Sequence, residues 1–475
     1  MNRFKKIYIL LGVLVAVCIA AIIVIQVEDH KEQIQNSEQI ILELASDDIQ
    51  SLSWEYDSAT LAFHKEDGQW LYDEDEAFPV DEAKINELLA QFESFGVSFI
   101  IEEVEDYGQY GLDDPVCTIN LSTAEQTYQI ILGNYSEMDS ERYVSIGDGN
   151  VYLVADDPLN YFDLTISDLI DHDEIPVFDL VSEIQFAGVE NYEIVYEEDS
   201  PDTYCADDIY FAQLNGNNLP LDTSLVNSYL NTISALNLNN YVTYNATAEE
   251  LQSYGLDDPE LTVTIDYTVE NENGEELEET FVMHISRDPQ ERQAVEAAED
   301  AGDGSAEETA DEEEITAYVR IGDSQIIYQL SAYNYEQLMA ASYDSLRHQE
   351  VFTADFDQVY QIDIALEDNE HTITAELDGE EYIYYYQDEE VDISSLQYAL
   401  EALTAAEFTD EQPTQKMEIS LILSLDNENY QQIEIELYRY DGTYCLAVLD
   451  GEPISLVERS YVVDLIEAVN AIVLN

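Results

Sequence analysis

Tyr110–Pro115 reads YGLDDP, and Tyr254–Pro259 reads YGLDDP again. The chemistry of this hexapeptide is punctuation. Gly111 and Gly255 can adopt the positive φ that ends a helical turn. The paired aspartates can bond neighbouring backbone, and the proline blocks further helix while letting a strand begin. An acidic, helix-like segment precedes each copy (EEVEDYGQ and ATAEELQS), and a strand-like run follows (VCTINLST and ELTVTIDYT). The aspartates are therefore assigned to folding and not to catalysis.

Outward from the hexapeptide the self-similarity continues, which marks a repeat architecture. Upstream lie two amphipathic helices, VDEAKINELLAQFESFG from Val80 and DTSLVNSYLNTISALN from Asp222, with apolar residues at helical spacing. Downstream, RYVSIGDGNVYLV from Arg142 and AYVRIGDSQIIYQL from Ala317 each join two alternating runs through a Gly-Asp turn, as a hairpin requires. PLNYFDLTISDLI and AYNYEQLMAASYDSL predict closing helices.

A worn third copy follows. DISSLQYALEALTAAEF from Asp392 stands in the helix position, FTDEQP (Phe408–Pro413) replaces YGLDDP without its glycine, and ERSYVVDLIEAVNAIV closes the chain. Each copy opens with paired strands: IQSLSWEY and ATLAFHKE, then SEIQFAGVENYEIVYEE, then QVYQIDIALEDNEHTITAEL. The expected fold is α+β, with tandem units of antiparallel sheet and packed helices. The predicted units are 40–172, 173–349 and a degenerate 350–475. Residues 288–314, dense in acid and poor in apolar side chains, are predicted to be a disordered loop within the second unit.

The N-terminus is read as a membrane anchor. A basic tip, residues 1–6, carries Arg3, Lys5 and Lys6; the uncharged run Ile7–Ile25 follows, then Glu28 and Asp29. At about 1.5 Å per residue such a run crosses a hydrocarbon core of about 30 Å. The expected transmembrane helix spans 7–27, and residues 28–39 form a linker. Basic residues before the run and acidic ones after it place the N-terminus in the cytoplasm and the rest outside, in a single-pass protein. The run is longer than the core of a cleaved signal peptide and lacks a small-x-small cleavage site, which favours a retained anchor.

Charge narrows the partners. Against 105 Asp and Glu stand 14 Lys and Arg, a formal net charge of −91. Such a surface repels nucleic acid, which is bound through lysines and arginines that displace counterions. Divalent cations are a candidate ligand. The acidity is distributed, which suits solubility better than one focused basic partner. Outside the apolar run, Cys117, Cys205 and Cys445 are an odd number at wide, irregular spacing, which is not a disulfide framework; buried free thiols are expected at Cys117 and Cys445, in strand-like stretches, and one bridge is left open.

Motifs of chemistry are scarce. His30, His64, His172, His284, His348 and His371 are scattered, and no nucleophile elbow, Walker loop or dinucleotide fingerprint follows a strand. No catalytic or cofactor-binding residue is assigned, no cofactor is expected, and metal ligands are left open. Tyrosine clusters such as EYIYYYQDEE (Glu381–Glu390) fit cross-strand packing, or a ligand surface if their wet face is open.

The layout resembles the bacterial family catalogued as "domain of unknown function 4340". The residues that carry this are the strand pair, Trp70 in GQWLYDED, the helix, YGLDDP, the Leu132-Gly133 turn of IILGNY and the YVSIGDGNVYLV hairpin. The second unit keeps YGLDDP and the hairpin but has YFAQLNG where the Trp strand should be. The resemblance implies an anchored or secreted protein of no established activity, often encoded beside an ABC-type transporter. The expected function is a non-catalytic, membrane-anchored extracytoplasmic interaction module, accessory to such a transporter or an envelope complex. The alternatives are a carboxylate-dependent envelope hydrolase and a divalent-cation-binding scaffold.

Overall fold

The computed structural model describes residues 39–474, apart from 301–314 and Glu103, Val189, Glu272, Asp368, Glu380 and Glu428. The expected transmembrane helix over 7–27 lies outside the described residues. Among them, no helix is long and apolar enough to cross a membrane.

In the first repeat the strands are β1 (Gln39–Leu42), β2 (Ile49–Tyr56), β3 (Ala59–Glu66), β4 (Gln69–Tyr72), β5 (Phe95–Val97), β6 (Phe99–Ile101), β7 (Cys117–Thr123), β8 (Thr127–Ser136), β9 (Glu141–Ser145) and β10 (Val151–Val154). Helices α1 (Glu82–Ala90) and α2 (Leu159–Phe162) accompany them. The second repeat contains β11 (Leu180–Gly188), β12 (Tyr192–Tyr196), β13 (Tyr210–Leu214), β14 (Asn217–Pro220), β15 (Tyr241–Thr243), β16 (Leu261–Glu270), β17 (Glu276–Arg287), β18 (Ala317–Ile321) and β19 (Ile327–Leu330). Its helices are α3 (Thr223–Ser234), α4 (Ala248–Ser253), α5 (Pro289–Asp300), α6 (Ala332–Met339) and α7 (Tyr343–Leu346). The third has β20 (Val359–Leu366), β21 (Asn369–Asp378), β22 (Glu381–Tyr386), β23 (Glu389–Glu390), β24 (Ala405–Phe408), β25 (Met417–Leu425), β26 (Gln432–Arg439), β27 (Tyr444–Leu449) and β28 (Glu452–Glu458), with α8 (Ser394–Glu401) and α9 (Arg459–Val473).

Strand order shows the repetition directly. The sheets run β4-β3-β2-β7-β8-β9-β10-β6, then β14-β13-β12-β11-β16-β17-β18-β19-β15, then β23-β22-β21-β20-β25-β26-β27-β28-β24. The second and third orders are identical, and the first lacks only the outermost short strand. Every pairing in these sheets is antiparallel, and β1 and β5 form a separate two-stranded sheet. Each opening strand bulges at one matching place, between Ile49 and Ser51, between Val181 and Glu183, and between Val359 and Gln361. A bulge adds one unpaired residue and bends the strand, so its recurrence marks copies of one backbone design. The outermost strands are short, which limits the unpaired edge open to aggregation.

Alternation drives the strands. In β16 the residues Leu261, Val263, Ile265 and Tyr267 are buried, and those between them are half-buried. In the third repeat Leu396, Leu400, Val462, Leu465 and Val469 of α8 and α9 join Ile362, Ile364, Leu421, Leu423 and Ile435 in one core. Burying such a side chain stabilises by about 1.5–3 kcal/mol. In the first, Trp54 lies against Phe63 at 5.8 Å and Phe162 at 5.3 Å.

The hexapeptides form helix ends with matching hydrogen bonds. Leu112 N–H donates to Tyr107 O and Gly111 N–H to Gly108 O; Leu256 N–H donates to Leu251 O and Gly255 N–H to Gln252 O. Paired bonds of this span, with glycine at φ +72° and +73°, make the Schellman turn. The motif tyrosine then meets a hairpin tyrosine, Tyr110 on Tyr143 at 5.0 Å and Tyr254 on Tyr318 at 4.7 Å. In the third repeat the hexapeptide is lost. Tyr438, Tyr440 and Tyr444 instead cover Leu446, Val448 and Leu456 of β27 and β28.

Two expectations are corrected. Among the described residues of EEVEDYGQ there is no α-helix, only the start of a 3-10 turn at Gly108–Tyr110, because clustered acids repel and Gly108 disfavours helix. The predicted disordered loop 288–314 begins as helix α5 over Pro289–Asp300. Proline suits a first helical position, the segment is rich in Gln, Glu, Ala and Arg, and Asp288 Oδ1 accepts from Gln290 N–H at 2.9 Å. Residues 301–314 lie outside the described residues.

The chain divides into two compact units, one ending at His172 and one beginning at Asp173. The second unit contains both nine-stranded sheets.

Candidate functional site

In the third repeat a groove of about 790 Å³ opens between β22, β23 and the start of α8. Tyr382, Tyr384, Phe356, Asp357, Glu390 and Asp392 are among its lining residues. The tyrosine cluster is thus half-buried along one edge of the sheet. Tyr384 donates its hydroxyl to Val359 O at 2.7 Å, and burial, with Asp357 nearby, pushes its phenol up to about 12. Hydrogen bonds from the Ser394 hydroxyl and backbone N–H pull Asp392 below the usual carboxylate range, where it stabilises the helix start.

General acid catalysis needs a carboxyl raised toward neutrality. Glu193 is raised by burial and by its neighbour Glu183, and Asp450 is raised by burial, but neither lines this groove. Glu193 lies on β12, and Asp450 sits in the β27–β28 turn, accepting the Glu434 N–H at 2.8 Å.

A second constellation joins residues that the sequence keeps far apart. Cys205, Asp208 and His348 bring a thiol, a carboxylate and an imidazole within 4.8 Å of one another. Cys205 and Asp208 belong to the loop between β12 and β13, and His348 follows α7 at the passage into the third repeat. His348 Nε2 lies 2.8 Å from Asp208 Oδ1, and Thr203 Oγ1 donates to Asp208 Oδ2 at 2.5 Å. Thr203 Oγ1 also accepts the Cys205 N–H at 3.0 Å. Asp208 is 3% exposed, while Cys205 and His348 are half-buried.

Burial opposes charge on His348, yet the hydrogen bond and charge of Asp208, with Asp222 and Glu350 nearby, outweigh it and raise the imidazole. Burial also raises the Cys205 thiol, and Asp208 adds to the effect although the Asp207 backbone N–H opposes it. A nucleophilic cysteine needs the opposite shift. These three groups resemble a thiol hydrolase in composition but not in electrostatics. Cys117 and Cys445 are buried free thiols, pushed up to about 12 and about 11 chiefly by burial.

The sequence reading of scattered histidines missed this cluster. Its local signal is the short Cys205–Asp208 spacing, and no pattern in the chain points from there to His348.

The profile of the Domain of unknown function (DUF4340) family matches residues 70–204 and again 214–420. Cys205 and Asp208 fall between the two matches, and His348 falls within the second. No curated protein and no solved structure matches the chain. With more than half of its 475 residues covered by two tandem matches, the chain belongs to the DUF4340 family of unknown function.

Proposed function

We propose that the chain is a non-catalytic interaction module, held at a membrane by its N-terminal segment with its repeats on the extracytoplasmic side. Its partner in this reading is a subunit of an ABC-type transporter or another envelope complex. The observation that carries the reading is the use of one sheet design three times, which enlarges the surface that a partner can meet. The uncharged run Ile7–Ile25 behind Arg3, Lys5 and Lys6 supports the anchor.

The third-repeat groove is the candidate contact surface. Its tyrosines offer flat apolar area, its acids lie beside them, and the chain carries a net charge of −91. A cationic, extended segment of the partner complements that chemistry. Hydrolase chemistry would need convergent acids with one held protonated, whereas Asp392 in this groove is held ionised by Ser394.

The test is crosslinking and co-purification of the full-length chain from its native membranes. Recovery of transporter or envelope subunits with the wild type, lost with Tyr382→Ala combined with Glu390→Lys, is the expected result. A wild-type preparation that returns no envelope partner refutes the module reading. Recovery that is unaffected by the double substitution moves the contact away from the groove.

A further inference from the structure

We propose that Cys205, Asp208 and His348 form a binding site for a divalent transition metal of the zinc class, at the joint between the second and third repeats. The donor set decides the class. A thiol and an imidazole beside one carboxylate suit zinc and its neighbours, whereas calcium and magnesium take oxygen donors.

The spacing fits with little movement. Bonds of about 2.0–2.3 Å in a tetrahedron set donor atoms about 3.3–3.8 Å apart. The three donors already lie within 4.8 Å, so each must move by about an ångström or less. The His348–Asp208 contact of 2.8 Å opens slightly, and the thiol closes on the pair. An ion that binds displaces the thiol proton to solvent, as a coordinating thiol is deprotonated.

Support around the donors is in place. Thr203 Oγ1 holds the second oxygen of Asp208, the outer contact that orients a ligating carboxylate. Asp207, Asp222 and Glu350 supply negative charge at the site, within a chain whose net charge concentrates cations. Cys205 and His348 are only partly buried, so solvent can supply a water ligand.

Position gives the site its consequence. Next to Cys205, the Tyr204 ring meets Tyr430 of the third repeat at 4.6 Å, tilted by 55°, and packs against that repeat's core. Next to His348, Val351 N–H donates to Leu403 O at 2.9 Å, and Arg347 lies 4.2 Å from the Phe408 ring centroid. An ion held by both segments ties the β12–β13 loop to the strand of chain that leads into the third sheet. A bare Asp208–His348 pair would account for two of the three groups; Cys205 is what an ion pair does not require.

The experiment uses the full-length chain in detergent, stripped of metal and titrated with cobalt(II). The expected result is one equivalent bound with a thiolate-to-cobalt charge-transfer band, bleached by one equivalent of zinc and unaffected by millimolar calcium. Cys205→Ser should abolish the band, His348→Gln should weaken binding at least tenfold, and Cys445→Ser should leave both unchanged. The surface carboxylates can bind cobalt too, but they cannot produce a thiolate band. A wild-type chain without that band overturns the proposal even if a variant fails to fold. So does a band that persists in Cys205→Ser.

Discussion

Gly133→Ala tests how the hexapeptide is seated. Gly133 needs no special φ, so alanine costs nothing in backbone conformation. Its Cβ, however, would lie 2.3 Å from Tyr110 O and 3.0 Å from Leu112 Cδ2. The first neighbour is backbone, so the turn must retreat by about an ångström to regain van der Waals separation. That movement loosens Leu112, only 7% exposed, and separates Tyr110 from Tyr143. Overpacking of this kind costs about 1–3 kcal/mol, and partial loss of a leucine's burial, worth about 1.5–3 kcal/mol when complete, brings the total to about 2–4 kcal/mol. Because the chain has several sheets, one global unfolding energy is ill-defined, and local hydrogen exchange is the suitable assay. At about 1.4 kcal/mol per factor of ten, a cost of about 2 kcal/mol speeds exchange of Tyr110–Leu112 about thirtyfold. Gly442→Ala is the control, since its Cβ meets nothing within 4 Å. Exchange at the turn within about twofold of wild type in Gly133→Ala would refute the seating argument.

Asp157→Ala should destabilise the first repeat by about 3–5 kcal/mol, read by hydrogen exchange of its strand amides, because it strands the buried Arg142 guanidinium, now 2.6 Å from Asp157 Oδ1. A loss below about 1 kcal/mol would mean that water replaces the carboxylate. His284 is held below its ordinary 6.5 by burial first and by Arg320 second, so the unfolded chain takes up its proton earlier as the pH falls. Its contribution to stability is present above about 6.5 and lost as the pH falls through the lower folded value; His284→Gln should flatten stability between about pH 7 and 5, and an unchanged slope would remove the assignment. Alkylation of the native chain at about pH 8 should spare Cys117 and Cys445, whose thiols stay protonated in the core, and rapid labelling of either would contradict the packing.

Much of the fold was legible because its signals are local. The helices from Val80 and Asp222, the Gly-Asp hairpins and the opening strand pairs are encoded in apolar period and turn residues, and they reappear as α1, α3 and the strands of each sheet. The acidic stretch after Asp288 misled, because composition alone ranked charge above the helix propensity of Gln, Glu and Ala. The worn third copy was legible in outline, but the replacement of the hexapeptide by Tyr438, Tyr440 and Tyr444 was not, since these residues come later in the chain, on β26, in the turn after it and on β27.

Composition and repetition alone determined the acidic surface, the α+β class, the recurrence of one unit and the turn role of YGLDDP, because each depends on residues close in sequence. Only the tertiary structure decided that the repeats share one strand order with a bulge at one place, and that Gly133 receives the Tyr110 carbonyl. It alone brought His348 to Cys205 and Asp208 across 140 residues of chain. Such contacts join residues far apart in the chain, and a pattern read over neighbouring residues carries no term for that closure.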